Sequence, residues 1–372
     1  LGGSSVEMGA RRFSRNHKNL WKLLKKCDLM DDVFENDDSD RTEYYFNGKF
    51  INNPKNTYKL IKQAINRFLK QGNNPHDLMN YTIKEIVDKY LKPSNAKWCY
   101  DSFPYKYTYC NFDAFTTSLF IREIYEDTFY SLRGGLSQLI DSIRERLVNV
   151  DLYIGTVCKE IVKTNDTYGV GIVDNNDIHT TLSCDKLVLA LPLIALSNIK
   201  YTNVNTEFIE YIKENLIPVS LYKVFSIYPV TDGKVWFDNK PSLITDNILN
   251  TIVPIDYCKG LIMTCYAEGD QNNELFDKLS KGEKIQDIVR VNLQNIYKTT
   301  IPTPISTISK YWNTNESFSR KGTNILNFIN KVQYPDDNLY LVNNAYSIKP
   351  HWMEGSILSA RNIICHINGR KM

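Results

Sequence analysis

The sequence predicts an α/β fold in which a cofactor domain is interrupted by a mixed α+β substrate-binding domain. Three observations lead there. Between Asp151 and Pro192 the apolar residues recur with strand period, while helical periodicity dominates on either side. Lys186 to Leu191 (KLVLAL) is apolar on both faces, as in a central parallel strand, and Pro192 stops it. Strand segments separated by long helical insertions are the pattern of one domain interrupted by another.

Taken in order, Glu35 to Asp40 (ENDDSD) reads as a polar loop. Glu43 to Phe46, Asn47-Gly48 and Lys49 to Ile51 give a hairpin with a type I′ turn. Helical patterns follow at about 56–70, 77–91 and 112–129. After Gly134-Gly135, the series Leu136, Leu139, Ile140, Ile143 and Leu147 predicts a helix with one buried face. Strands are expected at Leu152 to Ile154, Val157 to Val162, Tyr168 to Val173 and Lys186 to Leu191, then mixed structure over 200–312. Leu339 to Val342 should be a short buried strand. Gly355 to Ile367 should be the last helix, with Ile357, Ala360, Ile364 and Ile367 inward.

Composition removes several function classes. The 372 residues are 42% hydrophobic and 23% charged, enough for one large or two medium domains. With a formal charge of only +3, and Lys22, Lys25 and Lys26 interleaved with apolar residues, nucleic acid is not implied. No apolar run is long enough for a membrane helix. The eight cysteines form no C-x-x-C pair and no zinc spacing, so buried free thiols and no metal are expected. The sequence names neither a compartment nor an oligomeric state, and a homo-oligomer stays open.

Four constellations carry chemistry. In Val6 to Phe13 (VEMGARRF) a small-residue turn precedes paired arginines, and a guanidinium held there can grip a carboxylate with two parallel hydrogen bonds; a solvent-facing arginine is the plainer alternative. Lys223 interrupts the β-branched and aromatic run Ser220 to Ile227. Buried there, it needs a partner or a lowered pKa, whereas on an edge strand it would face water. Leu339 to Ser347 leads through His351-Trp-Met-Glu-Gly355 into a helix whose first N–H groups could stabilise an anionic ring, or simply cap a surface helix. Arg133-Gly-Gly135 is by itself only a loop.

Together these stretches resemble the flavin-containing amine oxidase family, in the family's order, over roughly 1–25, 130–237 and 305–370. Glu7 to Phe13 resembles the E-[ML]-G-A-M-R-F stretch of the L-amino-acid oxidase branch, in which the arginine matching Arg12 binds the substrate carboxylate. Arg133-Gly-Gly-Leu136 is similar to the segment opening the second half of the cofactor domain, and Val157 falls where a valine backbone meets the adenine. Lys223 matches a lysine placed, through a water, near flavin N5. Tyr311-Trp312 resembles the family's aromatic strand pair. Trp352 to Gly355 resembles the segment whose aromatic stands beside the flavin while its backbone contacts the pyrimidine ring. The resemblance thus implies substrate contacts at Arg12 and Trp352, catalytic parts for Lys223 and Trp352, and cofactor contacts at Glu7, Gly9, Ala10, Arg11, Val157, Trp312, Asn344, Trp352, Met353 and Glu354. It divides the chain into cofactor-domain parts at 1–40, 129–200 and 313–372, a helical insertion at 41–128 and a substrate domain at 201–312.

The resemblance also implies non-covalent FAD, because the covalent-flavin cysteine of monoamine oxidases has no counterpart near Gly322. Two departures stand out. Asn343-Asn344 replaces the family's Gly-Glu, and the G-x-G-x-x-G turn is absent, so the Rossmann-like domain is expected to lack its first βαβ unit, that segment preceding Leu1. The implied activity is oxidation of a primary amine, foremost an L-amino acid, by hydride transfer to flavin, with O2 reduced to hydrogen peroxide. A polyamine or monoamine oxidase, a flavin-dependent isomerase or desaturase, and a decayed binding-only homologue are the alternatives.

Overall fold

The computed structural model describes residues 5–36 and 42–369; positions 37–40 of the expected polar loop lie outside them. The sheet that matters most has seven strands, in the order Ser306–Ser319, Leu216–Ile227, Leu261–Glu268, Thr251–Asp256, Ser242–Thr245, Thr42–Phe46 and Lys49–Phe50. The expected hairpin forms its edge. Asn47 (φ 52) and Gly48 (φ 77) supply the two positive φ angles of a type I′ turn. The Ser306–Ser319 strand crosses position 312, so the expected boundary there falls inside it. One face of the sheet packs on the helix Ile285–Tyr297, where Ile288, Val289, Leu293 and Ile296 recur at helical spacing against Val224, Leu243, Ile252 and Ile262.

The helical insertion is more divided than its periodicity suggests. Helix Thr57–Lys70 starts where the Asn56 side chain accepts from Lys59 N–H, and it buries Ile61, Ala64 and Phe68. The expected 77–91 helix is instead a 3-10 turn, Pro75–Asn80, followed by the helix Ile83–Tyr90. The break comes at Thr82, whose side chain caps the second piece while Glu85 reciprocates. Two helices unmarked by the periodicity, Pro93–Ser102 and Lys106–Asn111, precede Ala114–Glu126.

On the cofactor side, Val157–Thr164, Thr167–Val173 and His179–Cys184 form an antiparallel run, and Leu187–Leu189 pairs in parallel with Leu339–Leu341. Leu152 to Ile154 is exposed and forms no strand, and Val188 is exposed rather than buried on both faces. Helix Ser137–Glu145 ends before Leu147. It packs only a narrow stripe, Leu136, Leu139 and Ile143, against Leu20, Leu24 and Leu132, so Ile140 and Leu147 face outward. The last helix begins at Met353, not Gly355, and buries Gly355, Ser359 and Ile363. A Cβ on Gly355 would lie 2.2 Å from the Lys349 carbonyl oxygen, and this close approach turns the helix so that Ile364 points away from the core. The eight thiols are all free, but only Cys27, Cys99 and Cys265 are buried, and Cys258 is exposed.

Candidate active site

A cavity of about 580 Å³ lies between the seven-stranded sheet and the cofactor side. One wall is the segment Gly9 to Arg12, tied down from three directions. Glu7 Oε1 accepts from Leu136 N–H at 2.6 Å, Trp312 Nε1 donates to the Met8 carbonyl at 2.9 Å, and Ser131 Oγ donates to the Arg11 carbonyl at 3.0 Å. The first anchor depends on Gly135 (φ 89), where a Cβ would stand 3.0 Å from Glu7 Oε1. Arg12 lies over the Phe129 ring at 4.1 Å, and Phe129 stacks on Trp352 at 5.6 Å. The arginine is thereby lined up with the aromatic side of the cavity.

The opposite wall is the sheet. Lys223 sits on its second strand, between bulges at Val219/Leu221 and Val224/Phe225, which re-aim the strand on both sides of it. Its side chain is only 5% exposed, and Nζ donates to the Gly9 carbonyl at 2.5 Å and, more weakly, to that of Glu7 at 3.4 Å. Burial, reinforced by the Arg11 charge, lowers its pKa to about 8. The lysine bridges the two walls.

Farther along the sheet stand two carboxyls. Glu268 is 5% exposed and accepts from Thr108 N–H at 3.0 Å, in the first turn of the Lys106–Asn111 helix. Glu316 is 27% exposed to the cavity, with His351 Nδ1 3.4 Å away. Burial raises both carboxyls to about 8; Thr108 opposes this at Glu268, while Glu316 adds to it. His351 lies between Phe120, at 3.7 Å, and Phe318, at 3.9 Å, and burial holds its pKa well below the usual value. Asp113 sets this arrangement: buried, it caps the helix Ala114–Glu126 that carries Phe120 and accepts from Ser319 at the end of the Glu316 strand.

Of the residues expected from sequence, Gly9, Ala10, Arg11, Arg12, Lys223, Trp312, Asn344, Trp352 and Met353 line this one cavity. Glu7, Val157 and Glu354 do not. Glu7 anchors the Gly9 segment from behind, and Val157 is exposed at the start of its strand. The Glu354 carboxylate accepts from the N–H groups of Asn19 and Leu20 and from the Asn19 amide, capping the helix Lys18–Lys26. The Asn344 amide donates to the Pro350 carbonyl, holding the turn before Trp352. Tyr105, Tyr266, Glu268, Glu316 and His351 also line the cavity and were not singled out. His351 and Glu316 lie inside the resembling stretches, and Tyr105, Tyr266 and Glu268 lie outside them.

The residues present fit an isoalloxazine ring with a small substrate. The volume lies within the usual range for ligand cavities. Trp352 Nε1 and His351 Nε2 are buried polar atoms without a protein partner, and a Cβ built on Gly9 would meet nothing within 4 Å. A fifteen-residue helix starts at Met353 with no side-chain cap, and its first turn lines the cavity, so the positive end of its dipole lies beside it.

The family model described as flavin containing amine oxidoreductase matches residues 1–367. Solved structures of putrescine oxidase are similar in fold, at 13% identity. A triple variant superposes with a TM-score of 0.74 over 100% of this chain and 90% of that one. A single variant gives 0.73 over 98% and 88%, and the wild type bound to putrescine gives 0.71 over the same shares. No curated protein sequence matches.

Proposed function

Because the chain belongs to the flavin containing amine oxidoreductase family, and so is an FAD-dependent amine oxidase, we propose that its substrate is an L-amino acid. The observation that carries this reading is Arg12 on the cavity wall, stacked over Phe129 and in the same cavity as Lys223 and Trp352. A guanidinium stays charged at every working pH and offers a planar fork that a carboxylate matches.

Bound FAD supplies the acceptor for the hydride that leaves the substrate Cα and passes the electron pair to O2, giving hydrogen peroxide. Gly9 to Arg11, Asn344 and the Trp352-Met353 backbone would hold it. Arg12 fixes the carboxylate and so sets which C–H bond faces the ring. Trp352 and Phe129 exclude water on that side. Lys223, with a pKa of about 8, can hold or release a proton where oxygen is reduced.

A diamine is the second reading, supported by Glu268 and Glu316 and by the fold likeness to putrescine oxidase. Peroxide release with an L-amino acid and with its decarboxylated amine separates the two. The amino-acid reading expects the carboxylate-bearing substrate to win and Arg12→Met to erase the difference. A better decarboxylated amine, unaffected by Arg12, would remove it.

A further inference from the structure

Pairing across the sheet orders the groups along the cavity floor. Lys223 faces Tyr266, Leu221 faces Glu268, and Val219 faces Glu316. Each two-residue step along a strand is roughly 7 Å. The carboxyls therefore stand one and two steps beyond Lys223, the second across the bulge between Val219 and Leu221. A six-carbon substrate whose reacting carbon lies beside Lys223 would carry its far end into this acidic end.

Lys223 acts on that end from a distance, its charge favouring ionised Glu316 without an ion pair between them. Among the described residues, neither Glu268 nor Glu316 forms an ion pair with lysine or arginine, and His351, held neutral by burial, does not supply one. Thr108 already engages Glu268, its N–H and its hydroxyl both donating to that carboxyl. Glu316 is the freer of the two and opens into the cavity. The pair also repel each other, since Glu316 makes Glu268 harder to ionise. A cation arriving between them would relieve this, a gain that an apolar side chain cannot provide.

We propose that the cavity is built for an L-amino acid with a basic side chain, whose distal cation is received by Glu316 with support from Glu268. This rests on the amino-acid reading above. Arg12 would take the carboxylate at one end and Glu316 the side-chain cation at the other, while Lys223 and Trp352 stand beside the reacting carbon between them. Glu316 is thus assigned a specificity-determining part.

The test uses the FAD-loaded protein with L-lysine, L-norleucine, which lacks the distal amine, and cadaverine, which lacks the carboxylate. The expected result is a kcat/KM for L-lysine at least about tenfold above that for L-norleucine, as for one desolvated charge contact. Glu316→Gln should bring that ratio toward one, and Glu316→Asp should retain part of it. L-norleucine equalling or exceeding L-lysine in the unaltered protein would overturn the inference and leave the amino-acid reading standing. Cadaverine exceeding both amino acids would overturn both. The unaltered protein decides even if a variant fails to fold.

Discussion

The two walls of the cavity are built by opposite means. The Gly9–Arg12 wall is a short segment with no regular structure before Phe13. Its shape comes from outside, through Gly135, Ser131 and Trp312. The sheet wall positions Lys223, Tyr266, Glu268 and Glu316 by strand register and two bulges. A loop wall can bring a long guanidinium to a ligand with small backbone adjustments, whereas a sheet wall fixes spacing. The former suits a grip, and the latter suits a ruler.

The largest test of this contrast is removal of the grip. Arg12→Met should lower kcat/KM for an L-amino acid by about thirty-fold to several thousand-fold, the equivalent of about 2–5 kcal/mol for a desolvated charged pair. Arg12→Lys should recover only part, because an ammonium lacks the planar fork. The readout is peroxide release with an amino acid and its decarboxylated amine. Equal losses on both would make Arg12 a support of the fold and end the contrast.

On the sheet wall, Lys223→Met should slow flavin reoxidation on the order of 100-fold, as for loss of a positioned acid–base group, and slow flavin reduction much less. Stopped-flow measurement of the two half-reactions separates these effects. Equal slowing of both would assign Lys223 to holding the Gly9 carbonyl, a purely structural bridge.

A smaller effect concerns stability. Glu268 and Glu316 ionise near 8 in the folded chain, against an ordinary 4.5, so their contribution is fully present below about 4.5 and is lost as pH rises through 8. Asp113, raised to about 6, acts in the same direction over a lower range. Lys223 acts oppositely. Its pKa falls from 10.5 to about 8, so its contribution returns only between those values. The melting temperature of the ligand-free protein should therefore fall on the order of 5 °C between pH 5 and pH 8. Glu316→Gln should flatten that slope. A melting temperature that rises over this range would show that the acidic end is not buried.

How much could be read in the sequence follows the same division. The Gly9–Arg12 wall was legible because its residues are consecutive, as were Trp352 and Met353. The Asn47-Gly48 turn was legible because only one turn type accommodates two positive φ angles. Lys223 stood out as a charge in an apolar run. Glu268 and Glu316 did not, because Glu268 ends one strand and Glu316 lies within another, and the residues they face are about 50 and 100 residues away. Only register brings them together. The helical insertion was misjudged where caps overrule periodicity, as at Thr82 and Glu85. The last helix was rotated from expectation because Gly355 packs against a carbonyl, a constraint that a count of apolar positions cannot contain.

The smallest effect is the one most specific to the meeting of the two walls. The resemblance makes Arg11 interchangeable, since it occupies the motif's variable methionine place. In the folded chain it lines the cavity, and its charge is the second cause, after burial, of the lowered Lys223 pKa. Removing a neighbouring positive charge makes it easier for Lys223 to hold its proton, so Arg11→Met should raise that pKa. The alkaline limb of the reoxidation rate should then move to higher pH, with a smaller change in kcat/KM than Arg12→Met produces. Arg12→Met supplies the contrast, because Arg11 is the cation that lowers the Lys223 pKa, so the limb should move less when Arg12 is replaced. Stopped-flow reoxidation rates across pH 6 to 10 would measure both. If the limb moves down in Arg11→Met, or moves equally in the two variants, Lys223 is not the group whose proton is being followed, and the two walls do not communicate through it.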